Sequence, residues 1–401
     1  MKLQIKLIMA CLFGTLSISL AQASANAIKI GVLNDQSGPF SDLSGKLGVE
    51  ATKMAVEDFG GKVLGRPIEV LSADHQNKVD IGMAIARRWY EDDKVDMILD
   101  VPNSAIALAV QDLTRQMNRV VIYTSPGSTE LTGKSCSPNG MQWTYDTYAY
   151  AKAVANGVMD EGGKSWFFIT SDYAFGHSLE SDASSAIKAR SGQVLGSVRH
   201  PLNTSDFSSY LLQAQSSMAD VIGLANGSAD TVNSIKQAAE FNIMGGRQRV
   251  AALFMGIVDV RSLGLQAGQG LNLVESFYWD QDEKTRAWSQ RFYKRTGRMP
   301  SMVQASNYGA TMHYLNAIKA ANTDAADAVL KKMHETPVND FMTNNATIRI
   351  DGRVMRDLYL YQVKKPSESK NDWDVYKLLR KIPAEQAYRP LNQGGCPLVE
   401  S

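Results

Sequence analysis

Ile28-Lys29-Ile30-Gly31-Val32-Leu33 runs directly into Asn34-Asp35-Gln36-Ser37-Gly38-Pro39-Phe40, and this join decides the fold. The apolar run reads as a buried strand, and the polar Gly/Pro stretch sets a loop at its carboxyl end. Outward from it, helical spacing over residues 48–59 places Val49, Met54, Ala55 and Phe59 on one face, and a strand follows over 67–73. A helix over 81–90, a strand over 95–99, a helix over 104–117 and a strand over 119–123 continue the alternation through short connections. Apolar strands separated by amphipathic helices are what a parallel sheet covered on both faces requires.

Upstream of the join, Lys2 and Lys6 precede an apolar run over 7–20, and Ala21-Gln22-Ala23 and Ala25-Asn26-Ala27 offer small-x-small cleavage sites. The run is too short to span a bilayer. Residues 1–27 are therefore expected to be a cleaved signal peptide, with the mature chain in the periplasm. A lipid anchor at Cys11 would leave half of the signal on the mature protein.

Loss of Lys2 and Lys6 leaves 40 of the 42 basic residues against 41 acidic ones, a formal charge of −1. Such balance lacks the basic face that nucleic acid or an anionic membrane surface demands. Nothing later in the sequence approaches the roughly 18 apolar residues of a membrane span. The remaining length, roughly 374 residues, suits two lobes better than one core. Two cysteines stay in the mature chain, Cys136 and Cys396. An even pair in an oxidising compartment points to one disulfide, and a metal site would want more ligands at closer spacing.

The strand-helix pattern restarts with Trp166-Phe167-Phe168-Ile169-Thr170, so a second lobe is expected from about residue 147. Helices over 284–295, 303–321 and 325–334 then break the repeat. Strands over 346–350 and 357–363 are expected to flank an Asp351-Gly352 turn. No Ser/Gly-rich or Pro-rich linker intervenes, which favours several short hinges over a single tether.

Ligands of open parallel sheets bind outside the strands' carboxyl ends. The loops expected there carry Ser37-Gly38-Pro39 with Leu43 following, then Asn103-Ser104, then Gly127-Ser128-Thr129. Hydroxyls and free N–H groups at helix starts suit a carboxylate, although each of Asn103 and Ser128 equally suits capping of its own helix. In the second lobe, Phe175, Asn226 and Asp230 follow strand ends, and Tyr145 and Tyr278 fall near the expected crossovers. Aromatic rings there would sandwich an apolar ligand body or pack the lobe interface, and Asp230 is available to an ammonium.

Gly31-Val32-Leu33 with Ser37-Gly38-Pro39, the Ala55-Val56-Glu57-Asp58 helix before Gly60-Gly61, the stretch from Ser125 through Thr132, Asp172-Tyr173-Ala174-Phe175-Gly176, and Gln304 to Tyr308 together resemble the periplasmic leucine/isoleucine/valine-binding proteins. The resemblance implies a type I periplasmic binding protein fold: α/β, with two doubly wound parallel-sheet (Rossmann-like) lobes joined by several hinge crossovers. It implies an N-terminal lobe over 28–146 plus about 278–345, and a C-terminal lobe over 147–277 plus about 346–401. By position it gives Ser104, the Gly127 backbone and the Thr129 hydroxyl to a ligand carboxylate, Phe175 to the place of a ligand-covering tyrosine, and Asp230 to the ligand amine. Phe175 lacks the tyrosine hydroxyl, Asp230 is shorter than the usual glutamate, and Leu43 stands for an aromatic residue. These departures suit an aromatic carboxylate as well as an amino acid. The implied protein is a monomer without cofactors that closes on a small-molecule carboxylate and delivers it to ABC transporter permease subunits in the inner membrane.

Two other functions compete. A sensor would use the same fold to present a ligand-bound shape to a receptor. An enzyme would need reactive machinery, and G-x-S-x-G, H-E-x-x-H, C-x-x-C and G-x-x-x-x-G-K-[ST] are all missing. The five histidines, His75, His177, His200, His313 and His334, lie at no metal-ligand spacing.

Overall fold

A computed structural model describes residues 27–243 and 246–399. Apart from Ala27, the expected signal peptide, Cys11 included, lies outside the described residues. No helix among them is long and apolar enough to cross a membrane.

The first sheet contains β1 (Ile28–Asn34), β2 (Lys62–Val63), β3 (Arg66–Asp74), β4 (Met97–Asp100), β5 (Val120–Tyr123) and β6 (Gly140–Gln142), in the order β2-β3-β1-β4-β5-β6. All pairings are parallel except that of β2 with β3. The chain winds from β1 outward to β3 and then returns to β4 on the other side, so the strand order reverses between β1 and β4. That reversal opens a crevice at the carboxyl ends.

Side-chain alternation along these strands builds two cores. Ile28, Ile30 and Val32 pack with Met97, Leu99 and Ile122 under helices Gly45–Phe59 and Met302–Ala321. Leu33, Ile98, Val121 and Tyr123 face helices Val79–Glu91 and Ser104–Gln116. Gly31 belongs to the second face because Trp89 lies against it. A Cβ there would stand 2.6 Å from the indole carbons.

A second all-parallel sheet consists of β7 (Ser165–Ser171), β8 (Gln193–His200), β9 (Val221–Ala225) and β10 (Arg249–Ala252), ordered β10-β9-β7-β8. Its reversal point lies between β7 and β9. The two doubly wound lobes expected from the sequence are thus present.

After β11 (Asn272–Glu275), helix Met302–Ala321 returns to the first core, and a hairpin of β12 (Thr347–Ile348) and β13 (Val354–Met355) follows. The turn at Asp351-Gly352 is where the sequence places it, but its second arm is Val354–Met355. The strand expected over 357–363 becomes β14 (Leu358–Val363), paired between β11 and β15 (Tyr376–Ile382) in an antiparallel sheet.

Ile348 and Val354 pack in the first lobe's core. We therefore propose moving the late lobe boundary from about 345 to just past Met355. Buried Arg353 ties this crossover to the earlier one, its Nη1 donating to the Tyr145 carbonyl at 2.7 Å.

The final segment returns to the first lobe. Cys396 is bonded to Cys136 across 260 residues of sequence, as the cysteine count suggests, and the Arg389 Nη2 donates to the Thr129 carbonyl at 3.2 Å. Loop-closure entropy allows such a bridge up to about 5 kcal/mol. Replacing both cysteines by serine should lower the melting temperature with little change in far-UV circular dichroism. Intact mass after alkylation should show no free thiol in the untreated protein, and two free thiols there would contradict the bridge.

Candidate functional site

At the reversal point, Asp100 ends β4 with a completely buried carboxylate. It accepts hydrogen bonds from Asn307 Nδ2 at 3.0 Å, Asn34 Nδ2 at 3.1 Å, Thr124 Oγ1 at 3.4 Å and the Ser44 hydroxyl. Burial pushes its pKa up, and the four donors pull the other way. Asp100 and Val101 both adopt left-handed backbone conformations, with φ of 89° and 57°. Non-glycine residues hold such angles only where the surroundings fix them. The knot of β1, β4, β5 and helix Met302–Ala321 does so, and it aims the loop after Val101 into the crevice.

In that loop, the Asn103 Oδ1 accepts from the N–H groups of Ala105 and Ile106 at 3.0 and 3.3 Å, an N-cap of the following helix. Ser104 is fully buried, and its Oγ accepts the Ser128 N–H at 3.4 Å, linking the loops after β4 and β5. Ser128 Oγ accepts the Glu130 N–H at 3.3 Å and lies 2.7 Å from the Ser178 hydroxyl.

Thr129 Oγ1 and Thr147 Oγ1 donate to Asp182 Oδ2 at 3.1 and 2.6 Å. Ser178 and Asp182 both belong to helix Ala174–Ala189 of the second lobe. A carboxylate of the second lobe is therefore docked on one hydroxyl of the first, Thr129, and on Thr147 at the start of its own lobe.

Beside them the backbone of Gly127 is covered by rings. A Cβ at this position would stand 2.7 Å from Tyr145 Cε2 and 2.8 Å from Phe175 Cε2. Phe254 completes the group, with centroids 5.0 Å from Tyr145 in a stacked arrangement, 5.5 Å from Phe175 edge-on and 5.5 Å from Tyr150. Tyr145 is fixed by donating to the Ser125 carbonyl at 2.6 Å. Gly227, after β9, also faces the rings, since a Cβ there would be 3.0 Å from Phe254 Cδ1. Leu43 is buried in the same apolar cluster, and its carbonyl accepts the Ser301 hydroxyl.

The structure thus brings Ser104, Gly127, Ser128, Thr129, Tyr145 and Phe175 together at one place. Three other expected residues are engaged elsewhere. Asn226 bonds Thr231 Oγ1, Ser234 Oγ and the His200 ring. Asp230 accepts the backbone N–H groups of Asn203 and Thr204 at 3.1 and 2.9 Å. Tyr278 donates to the Trp373 carbonyl at 3.0 Å and packs at a tilt against Tyr376 of β15, centroids 4.9 Å apart. Phe254, Tyr150 and Asp182 escape sequence reading. Phe254 alone carries a local signal, standing two residues beyond a strand end as an aromatic. Among the described residues no group of three or more His, Cys, Asp or Glu could hold a metal ion.

Residues 27–370 match the periplasmic binding protein family, and the chain belongs to that family. It is similar to a periplasmic binding protein from Burkholderia mallei, 46% identical with a TM-score of 0.92, covering 94% of this chain and 100% of that one. A branched chain amino acid ABC transporter periplasmic ligand-binding protein from Burkholderia xenovorans is 38% identical with a TM-score of 0.82, over 92% and 99% of the two chains. The Leu/Ile/Val-binding protein homolog 6 of Brucella abortus is 26% identical over 204 residues, 51% of this chain and 52% of that protein. The chain thus spans about half the length of the curated relatives it matches.

The docked Asp182 makes lobe contact sensitive to pH. Burial and the nearby Asp146 push its pKa to about 6, against the hydroxyls of Thr147 and Thr129 and the charge of Arg389. A carboxyl with a raised pKa binds its proton more tightly when docked than when free. Docking should be weakest above pH 6 and strengthen as pH falls through 6 towards 4. Small-angle scattering of the ligand-free protein should give a smaller radius of gyration at pH 5 than at pH 7.5. In Asp182→Asn the difference should vanish, and an equal difference in that variant would contradict the assignment.

Proposed function

We propose that this chain is the periplasmic solute-capturing component of an ABC importer, and that its solute is a small carboxylate with an apolar body, a branched-chain or other hydrophobic amino acid. One observation carries the reading. The loop that carries Ser128 and Thr129, bonded to Ser104, meets the rings of Tyr145 and Phe175 at Gly127, with Phe254 packed on both rings, where the two lobes touch. A carboxylate set on the first lobe's loops would have its apolar part enclosed by rings of the hinge and the second lobe. Ser104, Gly127 and Thr129 would hold the carboxylate, with Phe175 covering it. The Burkholderia xenovorans relative, named as a branched chain amino acid ABC transporter component, supports the transport role.

The mechanism would be hinge closure. Solute docks on the loops after β4 and β5, replaces Asp182 on the Thr129 hydroxyl, and the second lobe rotates over it about the crossovers near 143–147, 276–283 and 340–357. Burial then strengthens the charge-assisted hydrogen bonds. The closed monomer is what membrane permease subunits would recognise. We propose no catalytic step.

The stack of Tyr145 on Phe254, 5.0 Å apart and 23° from parallel, favours a second reading in which the solute body is an aromatic ring. A thermal-shift screen separates the two, since a ligand selective for the native state raises the melting temperature. L-leucine, L-isoleucine and L-valine should raise it under the first reading, and benzoate-type acids under the second. With the better solute, Ser104→Ala and Thr129→Ala should each cost about 1 to 3 kcal/mol, roughly 5- to 150-fold in Kd. Unchanged affinity in both variants would remove these loops from the site.

A further inference from the structure

Arg356 stands in the two-residue join between β13 and β14, where the chain leaves the first lobe's hairpin for the antiparallel sheet, and it is 3% exposed. Its Nη1 donates to Ser306 Oγ at 3.1 Å, and its Nη2 donates to the Thr343 hydroxyl. Both acceptors are neutral. No carboxylate forms a salt bridge with Arg356 among the described residues, whereas buried Arg353 has Asp146 at 3.9 Å.

Arginine keeps its proton in proteins, so burial cannot be relieved by neutralising it. A buried charge therefore needs a partner. The charged and titratable groups that face Arg356 are Asp340, Tyr388, Arg353 and Tyr359. Arg353 adds a second cation. The Oδ1 of Asp340 accepts the Met342 N–H at 2.9 Å, and burial pushes its carboxyl up, which weakens it as a counter-charge.

Arg356 lines a cavity of about 350 Å³. The wall includes Thr343 and Ala346 before β12, Asp282 after β11, and Tyr359 and Lys381 of the antiparallel sheet. Ala346 packs in the first lobe's core and Tyr359 against the second's, so both lobes contribute to the wall. The cavity shares no residue with the loops after β4 and β5 or with the rings of Tyr145, Phe175 and Phe254. Its lining is mainly polar and offers little to an apolar body. Two further acids border it, Asp357, which holds Lys381 at 2.5 Å, and Asp282, which caps its own helix. They repel a second negative charge, so a singly charged anion fits better than sulfate or phosphate.

We propose that this cavity is an anion site, separate from the solute cleft, in which a small singly charged anion such as chloride pairs with Arg356 at the hinge. The anion supplies the counter-charge that the fold omits. Because both lobes line the cavity, movement about residues 356–357 changes its walls, and occupancy is coupled to lobe position.

Protein dialysed into sodium gluconate tests this. When chloride replaces gluconate at constant ionic strength, the melting temperature should rise with the logarithm of chloride concentration, roughly 2 °C per tenfold above the site's Kd. In Arg356→Met less than half of that rise should remain. An equal rise in the variant is a general salt effect and overturns the site, as does no rise in the wild type. Bromide places the ion independently of any variant. In wild-type crystals moved from gluconate to bromide, an anomalous peak within hydrogen-bond reach of the Arg356 guanidinium is expected, and a cavity without one overturns the assignment.

Discussion

Everything at the cleft depends on one buried carboxylate. Asp100 gathers donors from two strand ends, a helix start and a late helix, and these partners hold two consecutive non-glycine residues at positive φ. Without that knot the chain would leave β4 in an ordinary direction, and Ser104 would not meet Ser128. The cost of burying the charge is offset by four directed hydrogen bonds. With the Ser128–Ser104 bond it joins the loops after β4 and β5 into one wall.

The opposite wall is organised differently. Phe175 and the hinge residue Tyr145 present rings to Gly127, where the absence of a side chain lets them reach the backbone, and Phe254 packs against both. Polar and apolar recognition are therefore segregated, with donors on the first lobe and rings on the hinge and second lobe. Asp182 shows one consequence. A side-chain carboxylate from the second lobe occupies the Thr129 hydroxyl of the first as well as Thr147 of its own, so under the proposed function a solute carboxylate would compete with an internal one. Lobe contact and the proposed ligand capture would then share the Thr129 hydroxyl.

The parallel sheets were legible because their strands are apolar on both faces, and the ligand-facing loops because Gly, Pro, Ser and Thr punctuate them. The disulfide followed from counting cysteines. Strand Tyr376–Ile382 was missed because five of its seven residues are exposed and include Lys377, Arg380 and Lys381, leaving no alternation to read. Phe254 was hidden by a short strand that begins with Arg249. Asp182 lies 53 residues from Thr129 on a helix whose inward face carries no obvious motif. Asp230 attracted attention as a free acid after a strand end, and only the fold reveals that the 203–204 loop holds both of its oxygens.

Capture of one solute by both lobes is the central claim, and hydrogen exchange addresses it directly. With the highest-affinity amino acid at saturation, the backbone amides of 127–132 on one wall and of 174–182 and 254–258 on the other should all slow together. Slowing confined to one lobe, or none at either wall under demonstrated binding, would contradict an interlobe site.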